Sequence, residues 1–307
     1  MRKTYFPQQF LDKYSALLGP EWDIFFETIK QKQPKSFWVN TNKTSVENVI
    51  ESLTKKGIKT IPLLFHPQAF AIDYSEPGKL EEYQKGWISV QEKASMMPVA
   101  ALNPKKTDKV LDACAAPGMK TLQLSNLAGE ILATDVHSKR MEILDKTMKA
   151  FEMKNVTTKR IDFRNLKHNK RFDKIILDAP CSSEGLVRKK REALISWSQK
   201  LVEKKSIEQK HMIVRAFDYL AEGGEMVYST CTFAPEEDEE VVNHLLKERN
   251  GVGEKQKLGK ASVVLVQLKG VKIRENKNCP GCVRLYPQDN NTQQFFFAKI
   301  KKETNQK

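Results

Sequence analysis

No stretch of the 307 residues reaches the roughly 18 consecutive apolar side chains that a membrane-crossing helix requires. The opening Met1-Arg-Lys-Thr-Tyr-Phe-Pro7 has no apolar core of the kind a secretory signal carries, so a cytoplasmic protein, or a nuclear one if its source has a nucleus, with no membrane partner is expected. Cysteine is sparse and odd in number, at five. Cys114, Cys181 and Cys231 stand far apart, which excludes the disulfide framework of a small secreted domain. Cys279-Pro-Gly-Cys282 is a CxxC without a second pair, so cysteine alone cannot complete a four-ligand zinc site. No resident metal is expected, and the pair reads as a turn carrying two incidental thiols ahead of a metal or redox role. Internal repeats and low-complexity segments are also missing.

What remains is an ordinary globular composition, 40% hydrophobic and 29% charged, with chain enough for one large or two modest domains. At this length roughly 75% of the unfolded surface can be buried, so no covalent staple is needed. Lys and Arg number 52 against 38 Asp and Glu, a net charge of +14. Residues 1–85 hold 12 basic and 10 acidic residues, so most of the excess falls in 86–307, with 40 and 28. Such a lopsided balance points to a polyanionic partner, although a solvated lysine-rich surface has the same composition.

The chain changes character at Lys109-Val-Leu-Asp-Ala-Cys-Ala-Ala-Pro-Gly-Met-Lys-Thr121. Val110, Leu111 and Ala113 form the apolar run of a buried parallel strand, Pro117 and Gly118 punctuate it, and Thr121–Leu127 resumes at helical spacing. Strand, tight turn and helix let a cofactor lie on backbone N–H groups at the helix N-terminus. Glu130-Ile-Leu-Ala-Thr-Asp135 reads as a second strand whose terminal acid can accept both hydroxyls of a ribose. An ordinary βαβ unit, its Asp merely capping the next helix, shares these features.

Upstream, residues 1–37 read as helical, with Phe10, Leu11, Tyr14, Leu17 and Leu18 on one face and a Gly19-Pro20 break before Trp22–Ile29. A strand at Ser36–Asn40, an amphipathic helix at Ser45–Gly57, and the segments Ile58–Leu64, Ala69–Asp73 and Gly86–Val90 complete a small α+β region, bounded within 74–86. Downstream, helix Ser138–Met153, strands Val156–Arg160 and Phe172–Asp178, helix Ser198–Ala221 closed by Gly223-Gly224, strand Glu225–Thr230, helix Pro235–Arg249 and strands Val263–Leu268 and Phe295–Ile300 alternate as in a doubly wound α/β sheet. The five acids after Pro235 suit the first turn of a helix. Ligands bind such sheets at the carboxyl ends of the strands, where Cys114, Asp135, Asp162, Asp178–Cys181 and Thr230-Cys231 converge.

Two of those ends carry thiols, in Asp178-Ala-Pro-Cys-Ser-Ser183 and Ser229-Thr-Cys-Thr232. A lone Cys at a strand end is commonly an inert small hydrophobe. Two of them at one crevice point to nucleophilic chemistry, since a thiolate is a strong nucleophile even when it is a minor species at neutral pH. Thiolate addition to carbon 6 of a pyrimidine makes carbon 5 electron-rich enough to take a methyl group; a second group must then remove the carbon 5 proton. A nearby acid bonded to the base stabilises the adduct.

In Cys114-Ala-Ala-Pro-Gly-Met-Lys-Thr121, Asp178-Ala-Pro-Cys-Ser182, Ser229-Thr-Cys-Thr232 and Pro235-Glu-Glu-Asp-Glu239 the chain resembles the Nol/Nop/Sun family of RNA (cytosine-5) methyltransferases. Gln91-Glu-Lys-Ala-Ser95, Arg284-Leu-Tyr-Pro287 and Phe295-Phe-Phe-Ala-Lys299 extend the match to both flanks, and the layout is closest to the family's archaeal tRNA enzymes. The resemblance implies an S-adenosyl-L-methionine-dependent class I methyltransferase of Rossmann-like fold over 86–302, an RNA-binding region over 1–85 and a basic polar tail at 303–307. It implies Cys231 as nucleophile, Cys181 assisting proton removal and product release, and Asp178 contacting both cofactor and base. It further implies Cys114, Ala115, Ala116, Pro117, Gly118, Met119 and Lys120 around the methionine end of the cofactor, Asp135 at the ribose, and Arg140 and Asp162 completing the pocket. The implied product is 5-methylcytosine, in tRNA first and rRNA second, made by a monomer. A non-catalytic RNA-binding or ribosome-assembly factor on the same fold, or a DNA cytosine methyltransferase with Cys181 attacking, are the rivals.

Three positions depart from the family pattern, the mildest being Asp238, where Asn is usual. Met119 stands where Gly is usual, which places a side chain near the cofactor. Trp38 stands where Arg is usual, either to stack on a base or to fill a core. The segment 164–215 holds 14 basic and 6 acidic residues, including Arg188-Lys-Lys-Arg191, and forms either a strip for a phosphate backbone or a solvated loop.

Overall fold

The computed structural model, described over residues 6–167, 169–251 and 259–304, contains two β-sheets. Residues 305–307 of the expected tail lie outside the described residues. In the first part of the chain, helices α1 (Gln8–Leu18) and α2 (Trp22–Lys30) precede strand β1 (Lys35–Val39), helix α3 (Val46–Lys55), strands β2 (Thr60–Pro62) and β3 (Ala69–Ile72), helix α4 (Glu81–Gln84) and strand β4 (Ile88–Val90). These four strands make an antiparallel sheet in the order β2-β3-β1-β4. Its core is Phe37, Val39 and Phe70 from the sheet against Val49 and Leu53 of α3. Ser45 starts α3 by accepting from the Asn48 N–H at 3.1 Å, as an N-cap serine should.

Helix α5 (Lys93–Leu102) leads into the larger unit: β5 (Lys109–Asp112), α6 (Met119–Leu127), β6 (Glu130–Asp135), α7 (Ser138–Ala150), β7 (Val156–Arg160), β8 (Phe172–Asp178), α8 (Gln199–Asp218), β9 (Leu220–Thr230), α9 (Glu239–Asn250), β10 (Ala261–Val264), β11 (Val283–Leu285), α10 (Pro287–Asn290) and β12 (Phe295–Lys302). The sheet order is β10-β12-β9-β8-β5-β6-β7, with β11 also on β12. Strands β5 to β9 run parallel, and β12 is antiparallel to β9. Side chains alternate between the two faces as a pleated strand requires. Tyr228 and Phe296 pack against Ile213, Phe217 and Leu245 of α8 and α9, while Val227 and Phe297 pack against Met97, Leu102 and Leu124 of α5 and α6. After β7 the chain returns to the other side of β5, so the strand order reverses there and opens a crevice at the C-terminal ends of β5 and β8.

Several elements differ from the sequence reading. Helix α8 stops at Asp218, and Gly223-Gly224 lies inside β9 where its register against β8 shifts, not at a helix cap. Gly223 takes φ +73°, and a Cβ on Gly224 would meet the Ala221 and Asp173 carbonyls at 2.9 and 3.0 Å, so both glycines serve the irregularity. The Val263–Leu268 strand shortens to Ala261–Val264, and β11 and α5 were not foreseen. Helices α1 and α2 do not join the core of the small sheet. Phe10, Tyr14 and Phe25 instead pack with Val187, Trp197 and Phe233 beside the two thiol loops.

Candidate active site

The turn after β5 is built by short backbone bonds. Ala115 N–H donates to Thr134 O and Gly118 N–H to Ala115 O, both at 2.8 Å. Gly118 needs to be glycine twice over: its φ is +108°, and a Cβ would meet Leu144 Cδ1 of α7 at 2.8 Å. Below the turn, Asp112 is buried and accepts from Thr121 Oγ1 at 2.7 Å; burial pushes its carboxyl up to about 7. Cys114 is likewise held well above the usual thiol range by burial and by Asp112, Asp135 and Asp178.

Asp135 ends β6 beside this turn. Its Oδ1 accepts from the His137 N–H at 3.0 Å, whereas Oδ2 is buried and makes no hydrogen bond, lying 3.3 Å from Arg140 Nη2. Arg140 also donates to the Ala116 carbonyl and so ties α7 to the turn. Cys114, Asp135, Arg140, Asp162, Arg164 and Pro180 are among the walls of one crevice of about 210 Å³. An orphaned buried carboxylate oxygen in a crevice at the strand switch fits a ribose hydroxyl, so the donor set suits a nucleoside-type cofactor. Both Asp162 oxygens already accept from Arg164 Nε, at 2.9 and 3.0 Å, and this guanidinium holds the carboxyl below its usual range. Arg164 was not singled out in the sequence; its two-residue offset from Asp162 is the only local signal.

At the ends of β8 and β9, the Cys181 and Cys231 sulfurs are 3.3 Å apart and both residues are partly exposed. The hydrogen bond to Cys231 and desolvation push the Cys181 thiol well up, and either sulfur can be the donor in the contact between them. Asp178 is fixed by Lys120 Nζ on Oδ2 and Ser229 Oγ on Oδ1, each at 2.7 Å. Lys120 comes from the first turn of α6, so three separate segments meet here.

Other sequence expectations change. Met119 is the first residue of α6, and its thioether accepts from Ser89 Oγ of β4 at 3.1 Å while its carbonyl takes Gln91 Nε2. Its side chain therefore faces the small sheet. Trp38 is fully buried, bonded through Nε1 to Asn126 Oδ1 at 3.0 Å and packed against the tilted ring of His66, which leaves no face for a nucleobase. Arg188 does not belong to a phosphate-binding strip: it is buried and donates to Gln31 O, Lys32 O, Thr292 O and Asn291 Oδ1. Lys189 and Lys190 are exposed, and the side chain of Arg191 lies outside the described residues.

Helix α9 begins at Glu239, and the three acids before it bond to partners elsewhere in the fold instead of facing the helix dipole. Glu236 pairs with Lys13 at 2.8 Å, Glu237 accepts from Ser182 N–H at 3.0 Å, and Asp238 lies 3.0 Å from Arg284. Glu184 was missed entirely; a single acid in a loop gives no spacing signal. Cys279 and Cys282 are not incidental thiols: the turn brings their Cα atoms to 5.6 Å and they form a disulfide. Among the described residues no cluster of three or more metal-ligating side chains occurs, and no helix is long and apolar enough to cross a membrane.

A parallel sheet with its switch point at β5, one antiparallel strand inserted next to β9 and a nucleoside-type crevice define the class I methyltransferase fold. The family model for 16S rRNA methyltransferase RsmB/F matches residues 99–301, and that for the N-terminal domain of 16S rRNA methyltransferase RsmF matches residues 6–93. The chain belongs to the RsmB/F (Nol/Nop/Sun) family of RNA cytosine-5 methyltransferases, whose methyl donor is S-adenosylmethionine. It is 34% identical to a ribosomal RNA small subunit methyltransferase F of Vibrio campbellii over 98% of its own length, but spans only 64% of that relative. It is also 34% identical to a tRNA (cytosine(49)-C(5))-methyltransferase of Pyrococcus abyssi, over 96% of both chains. A solved methyltransferase homolog from Pyrococcus horikoshii superposes with a TM-score of 0.82 at 28% identity, covering 97% of this chain and 95% of its own.

Proposed function

We propose that this chain methylates carbon 5 of a cytosine in RNA, with tRNA as substrate, acting as a cytoplasmic monomer. The observation that carries the reading is the pair of sulfurs 3.3 Å apart beside Asp178. S-adenosylmethionine, when bound, supplies an electrophilic methyl group. Cys114 to Lys120, Asp135, Arg140, Asp162 and Asp178 would hold it, Asp135 Oδ2, which faces Arg140 and accepts no hydrogen bond, taking a ribose hydroxyl.

The Cys231 thiolate attacks carbon 6, and Asp178, steadied by Lys120 and Ser229, bonds to the ring nitrogen or exocyclic amine as charge builds on the base. A proton on Cys181 stabilises the Cys231 thiolate before attack. Cys181 then gives up its proton to solvent water, and the resulting thiolate takes the carbon 5 proton after methylation; the carbon 5–hydrogen electron pair re-forms the double bond between carbons 5 and 6, the carbon 6–sulfur bond breaks and Cys231 leaves as thiolate. The four-stranded sheet and the exposed Lys189 and Lys190 offer backbone contacts that offset the few kcal/mol of unstacking the target.

The tRNA preference rests on the relative matched over 96% of both chains, a tRNA enzyme. A second reading, rRNA, is favoured by the family models and by the Vibrio relative. Transfer of labelled methyl to purified tRNA and rRNA, followed by bisulfite sequencing of total RNA with and without the gene, tests both. Label in tRNA is the expected result. Label confined to rRNA replaces the substrate, and label in neither leaves a non-catalytic RNA-binding factor.

A further inference from the structure

We propose that Glu184 is a positioning residue for the two-thiol centre, its carboxylate tying the Cys181 loop to the Cys231 loop and both to helix α1. The inference rests on the reading of Cys181 and Cys231 given above. Glu184 is fully buried, three residues beyond Cys181. Its Oε1 accepts from Thr232 Oγ1 at 2.9 Å, from the Phe233 N–H at 3.0 Å and from the Tyr14 hydroxyl, and its Oε2 accepts from Trp197 Nε1. These four donors come from three places: the loop that carries Cys231, helix α1, and the segment before α8. The Phe233 N–H and Trp197 Nε1–H can only donate, and both hydroxyls are turned to donate as well, so the site suits the acceptor oxygens of a carboxylate.

A buried carboxylate is unfavourable unless hydrogen bonds replace its hydration, and four donors do so here. An amide in its place would offer one oxygen and two hydrogens, and would leave some of those donors unpaired or opposed. A second strap runs parallel to the first. Glu237 Oε2 accepts from the Ser182 N–H at 3.0 Å and from Gln209 Nε2 at 2.8 Å, and the Ser182 and Thr232 hydroxyls lie 3.0 Å apart. The residues that follow Cys181 and Cys231 are therefore both clamped. The two sulfurs must reach adjacent carbons of one pyrimidine, and a slip of either loop by about 1 Å is enough to cost on the order of 100-fold in rate. Tyr14 extends the clamp to α1, so the seating of that helix bears on the sulfur spacing.

The test uses the full chain with Glu184→Gln, Tyr14→Phe, Thr232→Val and Thr232→Ser, each checked for thermal stability and cofactor affinity. Two readouts are taken: kcat and KM for RNA, and the rate at which the oxidant diamide joins Cys181 to Cys231, followed by mass spectrometry without RNA or cofactor. Glu184→Gln and Thr232→Val should lower kcat by about tenfold or more with KM within about twofold, and should slow the bridging, while Thr232→Ser keeps both near wild type. A folded Glu184→Gln protein with wild-type kcat, or with bridging unchanged or faster, overturns the proposal. If Glu184→Gln does not fold, Tyr14→Phe and Thr232→Val decide by the same criteria, since each removes one donor. Should the wild type methylate no RNA, the functional reading fails, and the bridging rates still decide the spacing claim.

Discussion

Cys181 and Cys231 are chemically alike, and only their surroundings separate their roles. The hydrogen bond to the second sulfur and desolvation push the Cys181 thiol well up. Replacing Cys231 by Ala should abolish turnover, whereas Cys181→Ala should accumulate a covalent RNA adduct that survives denaturing electrophoresis. The reverse pattern would make Cys181 the attacking thiol, as in DNA cytosine methyltransferases. Gly118 offers a second residue-scale check. Gly118→Ala forces a left-handed φ on a residue with a Cβ and drives that carbon against Leu144, so a loss of about 1–3 kcal/mol is expected in thermal or urea unfolding. A double-mutant cycle with Leu144→Ala should show coupling, because the second change removes the atom that is met.

At the scale of elements, the small sheet is joined to the larger unit through side chains that sequence reading leaves ambiguous. Trp38 of β1 reaches Asn126 of α6, and Asn126 in turn donates to Asn40 Oδ1 at 2.9 Å. Trp38→Ala should cost about 3–5 kcal/mol, as for other large buried aromatic side chains. Trp38→Phe should cost less and leave RNA affinity in a filter-binding assay unchanged; a large loss of affinity would restore the base-stacking role. The acid run before α9 teaches the same lesson. Its residues satisfy the helix pattern on paper, yet their carboxylates are consumed by Lys13, Ser182 and Arg284 across the fold.

For the whole molecule, buried titratable groups set opposing pH slopes. Burial raises Asp112 from 3.8 and Glu92 from 4.5, each to about 7. Folding therefore takes up protons between those limits, and stability falls as pH rises through that window, by up to about 1.4 kcal/mol per pH unit for each proton. His66 does the opposite: burial lowers it from 6.5 to about 4, so the unfolded chain binds the extra proton and stability falls on acidification through that range. Asp112→Asn should flatten the fall in melting temperature between about pH 5 and 7, and His66→Phe should steepen it by removing the opposing slope. The net charge of +14 acts outward instead. Lys189 and Lys190 are exposed, so replacing each by Ala should reduce the salt slope of RNA binding by about one and weaken all RNA sequences alike. Replacing Arg188 should appear as lost stability, because its guanidinium staples three segments.

The amino-acid order by itself determined what short-range physics can encode. Apolar runs marked β5, β6 and β8, the Pro117-Gly118 punctuation marked the turn, helical spacing marked α1 and α3, and the residue types at the strand ends named the chemistry. Periodicity says which face of an element is apolar but not what covers it, so the docking of α1 and α2 onto the thiol loops belongs to the tertiary structure. So do the 3.3 Å between sulfurs that lie 50 residues apart and the burial of Trp38, Arg188 and Glu184. A charged side chain looks solvated in any one-dimensional reading; only three-dimensional packing supplies the donors and acceptors that make its burial affordable. The CxxC bridge and the glycine pair within β9 were hidden for a related reason, since each depends on where a neighbouring strand or turn places the backbone.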